Sequence, residues 1–237
     1  MIKKNVLWFS EINPDYQNDN GLLKKLFSDN SIELKNIRYC FDPPNRQNEV
    51  KLSNELENDI SSSTIVEAGP ENLFRESYFA DAIAVSKSIF KSSLFPHHLK
   101  EIHCPLVIFP EHAQKINHLL FIISSNPDSV ISIKQFCGLF EQMCKKVKIT
   151  LLVIDDGEGL PKTYEQIVVK YLKKWNRNLG IYKDQSWNFE MLKSYLEFDN
   201  KTLSVMNLDL ILNSEEGSFP KEIFENENTS LFIGYNY

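Results

Sequence analysis

The stretch from Val66 to Phe136 constrains the fold of this chain more than any other, because apolar segments of strand length alternate in it with helical patterns. The runs Ala82–Val85 and Leu106–Phe109 have the length and composition of buried strands. A further apolar run, Leu119–Ile123, leads through a turn into an amphipathic pattern over 129–144. Parallel strands need crossover connections, so this alternation predicts an α/β fold with a parallel sheet covered on both faces.

The same order of strands and helices is predicted twice along the chain. Five strands are expected in each half: Asn5–Ser10, Glu33–Tyr39, Ser63–Glu67, Ala82–Val85 and Leu106–Phe109, then Leu119–Ile123, Lys148–Ile154, Gly180–Tyr182, Leu208–Leu212 and Leu231–Gly234. Helical patterns cover Gly21–Phe27, Glu49–Ile60, Asn72–Phe79, 129–144, Lys162–Trp175, Asn188–Phe198 and a short segment near Glu222. The join is expected between Pro110 and Asn117, which gives two tandem modules, residues 1–112 and 113–237.

Composition is that of an ordinary globular protein and excludes some classes of partner. The 237 residues are 42% hydrophobic and 24% charged, enough for two small cores. The formal net charge of −6 supplies no basic field for phosphates, so we expect no nucleic-acid partner. No apolar run approaches the roughly 20 residues that cross a bilayer, and the first residues lead directly into a strand. We therefore expect no membrane partner and a cytoplasmic location.

The cysteines are too few and too scattered for a disulfide framework; they are Cys40, Cys104, Cys137 and Cys144. Cys137 and Cys144 lie seven residues apart on one predicted helix, among apolar neighbours. The pattern favours buried reduced thiols over a redox pair.

Neither the histidines nor the acidic runs predict a metal site. All five histidines fall in one segment, as His97, His98, His103, His112 and His118, but their spacing matches no helix-borne metal signature. A polar surface between the modules is the favoured interpretation. The run Asp155–Glu158 follows a strong strand, yet adjacent carboxylates point in different directions, which favours a solvated turn. The stretch Asp15–Gly21 has its glycine one place out of register for an EF-hand loop.

Several of these segments together resemble a known family. A strand that ends in Val66-Glu67-Ala68-Gly69-Pro70 precedes a helix, Ala80-Asp81 before an apolar strand, and then Cys104-Pro105-Leu106-Val107-Ile108. This order is similar to that of the universal stress proteins, and Leu120–Phe136 resembles the opening of a second such module. The resemblance implies two five-stranded modules of the adenine nucleotide alpha hydrolase-like type, each with strand order 3-2-1-4-5. It also implies an intramolecular pseudo-dimer, in which Leu106–Phe109 pairs antiparallel with Leu231–Gly234.

The chain departs from this family where ATP-binding members hold the nucleotide. Those members carry an aspartate after the first strand and a glycine-rich loop after the fourth, since glycines let backbone N–H groups approach phosphates. Here the first strand of the first half ends in Phe9-Ser10-Glu11, and Ser86–Lys91 contains no glycine. In the second half Ser124 replaces the aspartate, and the loop Asn213–Ser218 has one glycine and two glutamates. We therefore expect a degenerate nucleotide pocket and no cofactor; the alternative is ATP or another adenine nucleotide.

Any ligand that remains is expected in the second half, at the carboxyl ends of the strands. The candidate residues are Ser124, Ser125, Asn126, Asn213, Gly217 and Ser218. The alternative interpretation is that Asn126 only caps the following helix and that the serines are surface turn residues. Asp128 in the first helical turn weakens the case for an anion.

No catalytic residues are predicted, because no Ser-His-Asp or Cys-His arrangement has a supporting sequence around its nucleophile. Two functions remain open. The first is a non-catalytic regulatory or interaction protein of the stress response, with a small ligand or a protein as partner and a higher homo-oligomer possible. The second is an adenine-nucleotide-binding protein with slow or no hydrolysis.

Overall fold

The computed structural model describes residues 4–11, 32–39, 70–92, 99–110, 115–154, 162–184, 201–212 and 229–235. Within them nine strands are present: β1 (Lys4–Glu11), β2 (Ile32–Tyr39), β3 (Ala82–Ser86), β4 (Leu106–Phe109), β5 (His118–Ile123), β6 (Lys148–Ile154), β7 (Leu179–Asp184), β8 (Thr202–Asn207) and β9 (Ser230–Gly234). The helices are α1 (Pro70–Ser77), α2 (Lys87–Ser92), α3 (Asp128–Leu139), α4 (Glu141–Lys146), α5 (Lys162–Lys173) and α6 (Leu208–Leu212), with a 3₁₀ turn at Leu99–Glu101.

The described strands form one sheet with the order β2-β1-β3-β4-β9-β8-β5-β6-β7. Every neighbouring pair is parallel except β4 and β9, which are antiparallel. In this antiparallel pair, Val107 of β4 lies opposite Phe232 of β9. The predicted antiparallel pairing of Leu106–Phe109 with Leu231–Gly234 is therefore confirmed, as is an α/β fold with a mostly parallel sheet.

Strands β1, β3, β4, β5, β6, β8 and β9 contribute to hydrophobic layers on both faces of the sheet, and alternate residues of these strands face opposite layers. In β5, Leu120 and Ile122 face one layer, whereas Leu119, Phe121 and Ile123 face the other. Residues of α2 and α6 join the first layer, and residues of α3, α4 and α5 join the second. This double burial explains why most strands read as continuous apolar runs.

Two predicted elements differ from the structure. The expected strand Leu208–Leu212 is helix α6, and the strand there is β8, Thr202–Asn207. This prediction was wrong because β8 carries buried polar residues, Ser204 and Asn207, whereas the next five residues are mostly leucine and isoleucine. The expected helix over 129–144 is two helices, since Phe140 leaves the helical region with φ −117° and ψ 46°.

The ring of Phe140 packs at this break. Its centroid lies 4.9 Å from that of Phe136 and 6.1 Å from that of Phe232 on β9. The other predicted elements Gly21–Phe27, Glu49–Ile60, Ser63–Glu67, Asn188–Phe198 and the helix near Glu222 lie outside the described residues.

Helix α3 is held against the sheet by contacts at three points. Gly234 lies directly beneath Ser132, and a side chain there would meet the helix. The amide of Gln135 pairs with the backbone of Tyr235, donating to its carbonyl at 2.8 Å and accepting from its N–H at 3.2 Å. The ammonium of Lys4 on β1 donates to the carbonyls of Gly138 and, at 3.2 Å, Leu139. Helix α3 therefore contacts both β9, in the second half of the chain, and β1, in the first half. No helix among the described residues is long and apolar enough to cross a bilayer.

Candidate functional site

The best-placed crevice lies where β5 and β8 end. These strands are parallel neighbours, with Phe121 of β5 in register with Val205 of β8. The chain continues from β5 to β6 on one side, while β8 lies on the other side, so the strand order reverses between β5 and β8. In open α/β sheets, ligands bind outside the carboxyl ends of the strands at such a reversal.

The loop after β5 is closed by its own hydrogen bonds. The N–H of Asn126 donates to Ser124 Oγ at 3.3 Å, and the N–H of Ser124 donates to Ser129 Oγ at 3.4 Å. The N–H of Asp128 donates to Asn126 Oδ1 at 2.9 Å, and Pro127 already has helical dihedrals. Asn126 therefore caps α3. Ser124 is buried and Ser125 is half-buried at the same strand end.

A second hydrogen bond of Asn126 ties this loop to the segment after β8. Its side-chain N–H donates to the carboxylate of Asp209 at 3.0 Å. The sequence did not point to Asp209, because the predicted fourth strand of the second half ends five residues beyond the end of β8 and includes Asp209 itself. The loop after that strand was accordingly expected to begin at Asn213, whereas β8 ends at Asn207. Asn213, Gly217 and Ser218 themselves lie outside the described residues.

The charged side chains that the structure describes beside these two strand ends are both carboxylates. The first turn of α3 contributes Asp128, and the first turn of α6 contributes Asp209. An anion placed here gains from the helix dipole of α3 but meets two carboxylates, one of them bound to the cap of that helix. The arrangement favours neutral or cationic groups over phosphates.

Asn207 is the most unusual polar residue of the crevice. It ends β8, is 2% exposed, and neither its Oδ1 nor its Nδ2 has a hydrogen-bond partner among the described residues. A buried amide without partners costs about 1–3 kcal/mol per unsatisfied group. Asn207 lies next to the strand reversal, and both polar atoms of its amide are buried.

Comparisons with known proteins agree with this architecture. No family model matches the chain, and no curated protein is similar to it in sequence. A crystal structure provisionally described as a universal stress protein from Pseudomonas aeruginosa UCBPP-PA14 has a TM-score of 0.57 and 10% identity, over 98% of this chain and 93% of that chain. The two proteins share a fold. The cytoplasmic domain of a prokaryotic cation chloride cotransporter is also similar, with a TM-score of 0.52 and 10% identity, over 98% of this chain and 95% of that domain.

A second strand end, in the first half of the chain, follows β3. Ser86 caps α2 there: its Oγ accepts from the N–H of Ile89 at 3.4 Å and lies 3.0 Å from Ser88 Oγ. The buried Lys87 is between the two serines. No glycine is present in this turn, so its backbone lacks the freedom that a phosphate cradle uses.

The histidines are dispersed where the structure describes them. His118 lies in β5, and its Nδ1 and Nε2 are 3.0 Å and 2.9 Å from the hydroxyls of Thr202 and Thr150. The ring of His103 stacks on Tyr78 with 3.7 Å between centroids. His97, His98, His112 and the run Asp155–Glu158 lie outside the described residues. Among the residues with assigned positions, no three potential ligands converge on a metal site.

The three described cysteines are buried free thiols, as expected. The Sγ atoms of Cys137 and Cys144 lie 3.6 Å apart, and Cys40 is outside the described residues. The hydrogen bond with Cys144, together with burial, raises the pKa of Cys137. Burial and the nearby Asp81 carboxylate raise the pKa of Cys104 to about 12. The raised pKa values keep the thiols of Cys104 and Cys137 protonated and unreactive.

Proposed function

We propose that this chain is a divergent, tandem universal-stress-like protein, with modules at residues 1–112 and 113–237. It acts in the cytoplasm as a non-catalytic regulatory or interaction protein of the stress response. The fold shared with a universal stress protein supports this proposal. The strand order also supports it. In the second half, β7-β6-β5-β8-β9 corresponds to the order 3-2-1-4-5. In the first half, β2-β1-β3-β4 corresponds to 2-1-4-5.

The observation that carries the functional proposal is the hydrogen bond between Asn126 and Asp209. It joins the loop after β5 to the segment after β8, the two segments between which a nucleotide would have to lie. It also fixes a carboxylate beside the first turn of α3. A phosphate charge held about 5 Å from Asp209 would be repelled by about 3 kcal/mol at an effective dielectric constant of about 20. That repulsion weakens binding by about 100-fold.

The second candidate function is adenine nucleotide binding with slow or no hydrolysis. The unsatisfied amide of Asn207 favours it, because an amide offers a paired donor and acceptor that match the polar edge of a base. The acidic rim opposes it. In this alternative Ser124 and Ser125 line the pocket together with Asn213, Gly217 and Ser218.

The two candidates are separated by the nucleotide content of the purified full-length chain. Acid extraction followed by chromatography should release no stoichiometric ATP, ADP or AMP from the wild-type protein. The variant Asp209→Asn keeps an acceptor for Asn126 but removes the charge, so we expect its affinity for ATP to be higher than that of the wild type. One adenine nucleotide per wild-type chain would reject the degenerate-pocket proposal and support the alternative.

A further inference from the structure

A second groove lies away from the β5–β8 crevice, between α3 and the segments that lead into β3 and β4. It encloses about 570 Å³ and is open to solvent. One wall is formed by α3 with Lys134 and Gly138, and the opposite wall by Tyr78, Asp81 and His103. The volume is in the range of small-molecule sites, which is roughly 300–1,000 Å³. The walls come from opposite sides of the expected join at 110–117.

The aromatic wall presents a preorganised ring. Tyr78 stacks on His103 with 3.7 Å between centroids and 20° between planes, yet it is 63% exposed. The backbone of His103 is fixed because its N–H donates to Ser77 Oγ at 3.0 Å, and that hydroxyl donates to the carbonyl of Phe74 at 2.6 Å. One face of Tyr78 is therefore occupied and the other is available for stacking by a planar ring.

The charges of the groove are locally positive in a chain whose net charge is −6. Lys134 is exposed and has no ion-pair partner among the described residues. Lys4 contributes a second ammonium, already bound to the carbonyls at the end of α3. Asp81 is the single carboxylate among the described residues of the lining, and its Oδ2 accepts the N–H of Asn5 at 2.6 Å. Lys134 is therefore the cation best able to meet an anionic group.

Gly138 keeps the helix wall open. It lies inside α3, where glycine costs about 1 kcal/mol relative to alanine. Packing does not require it, because a Cβ at this position would meet nothing within 4 Å. The unfilled space lies in the groove itself. A bare helix backbone facing an open groove is suited to the close approach of a ligand.

We infer that this groove binds a planar aromatic anion. Its ring stacks on the open face of Tyr78, its edge lies against the backbone at Gly138, and its anionic group meets the ammonium of Lys134. A carboxylate and a phosphate share this chemistry, so an aromatic acid and a nucleoside monophosphate are both candidate sources. Because the walls come from both sides of the join, binding also stabilises the arrangement of the two halves. This inference is independent of the β5–β8 crevice.

The test is a titration of the ¹⁵N-labelled full chain in which amide chemical shifts report binding. Indole-3-carboxylate and AMP are the two anionic probes, titrated separately. Benzamidine, a planar cation, is the control ligand. We expect at least one anionic probe to shift the resonances of Lys134, Gln135 and Gly138 with a Kd of about 1 mM or tighter, and benzamidine to bind at least about 10-fold more weakly. Binding of both anions indicates a general aromatic-anion site, whereas binding of only one identifies carboxylate or phosphate as the preferred group.

Matched variants locate the site. Lys134→Glu and Gly138→Trp should each weaken binding at least about 10-fold, whereas Lys170→Glu, a charge reversal on α5, should leave it unchanged. Thermal unfolding checks that each variant is folded. If Gly138→Trp does not fold, Lys134→Glu and the comparison with benzamidine still test whether the groove binds an aromatic anion. The inference is overturned if neither anion shifts these resonances, if Lys134→Glu binds as well as the wild type, or if shifts are confined to Ser124–Asn126.

Discussion

Replacing Gly234 with alanine should destabilise the protein, because the added methyl group would occupy space that α3 already fills. An ideal Cβ at this position would lie 2.6 Å from the Cα of Ser132, and the Cβ and Oγ of Ser132 are nearer still. The obstacle includes helix backbone, so a side-chain rotation alone cannot relieve it. Overpacking of this kind costs typically about 1–3 kcal/mol. We expect the upper part of that range, which corresponds to a fall in Tm of roughly 2–4 °C per kcal/mol.

Two other glycines provide matched controls for the same chemical change. At Gly180 on β7 the nearest atom to an added Cβ is Thr150 Oγ1 at 3.4 Å, an ordinary van der Waals contact. Gly180→Ala should therefore change the free energy of unfolding by less than about 0.5 kcal/mol. At Gly138 an added methyl meets nothing, so Gly138→Ala should stabilise the protein by about 0.5–1 kcal/mol through helix propensity.

The three variants are compared by urea unfolding at neutral pH, followed by circular dichroism and tryptophan fluorescence. The expected order of stability is Gly138→Ala, Gly180→Ala and then Gly234→Ala. The double variant Gly234→Ala with Ser132→Gly should recover only part of the loss, because the Cα of residue 132 remains. A Gly234→Ala variant as stable as the wild type would show that α3 does not pack on β9 as described.

Three further predictions concern other contacts. Lys4→Met should lower the free energy of unfolding by about 0.5–1 kcal/mol, since the ammonium binds the carbonyls that end α3, whereas Lys170→Met should have little effect in the same urea titration. Ser230→Val should stabilise the protein by about 1 kcal/mol, because the buried hydroxyl of Ser230 has no hydrogen-bond partner in the described part of the chain and lines an apolar cavity of about 20 Å³. Unchanged or lower stability would contradict this packing. The pKa of Cys104 is raised to about 12 in the folded protein, so its thiol ionises at a lower pH in the unfolded chain. The contribution of Cys104 to the free energy of unfolding is therefore complete below about pH 9. It is lost as the pH rises toward 12, by up to about 1.4 kcal/mol per pH unit. Cys104→Ala should reduce that slope between about pH 9 and 11, and an unchanged slope would exclude Cys104 as its source.

The sequence predicts most of the sheet because its strands are apolar on both faces. Leu106–Phe109, between two prolines, reads unambiguously as a strand, and its pairing with β9 follows from the resemblance to a tandem family. β8 was misplaced because local pattern does not show that Ser204 and Asn207 are buried. Apolar periodicity alone therefore favoured the leucine-rich helix that follows.

The candidate sites were harder to predict than the strands, because they depend on long-range contacts. Asn126 meets Asp209 across 83 positions of sequence, and neither residue belongs to a recognisable motif. The groove beside Tyr78 likewise combines residues from both halves of the chain. Gly138 is a member of this groove that the sequence does not single out, because only the structure shows the open space next to it.

Calorimetric titration of ATP with Mg²⁺ into the wild-type full chain tests the central claim most directly. The claim is that the acidic rim formed by Asp128 and Asp209 has replaced the phosphate site of the fold. The account predicts no saturable heat of binding at micromolar ATP. Binding of one ATP per chain with micromolar affinity would contradict it, because the carboxylate held by Asn126 would then not exclude the phosphates.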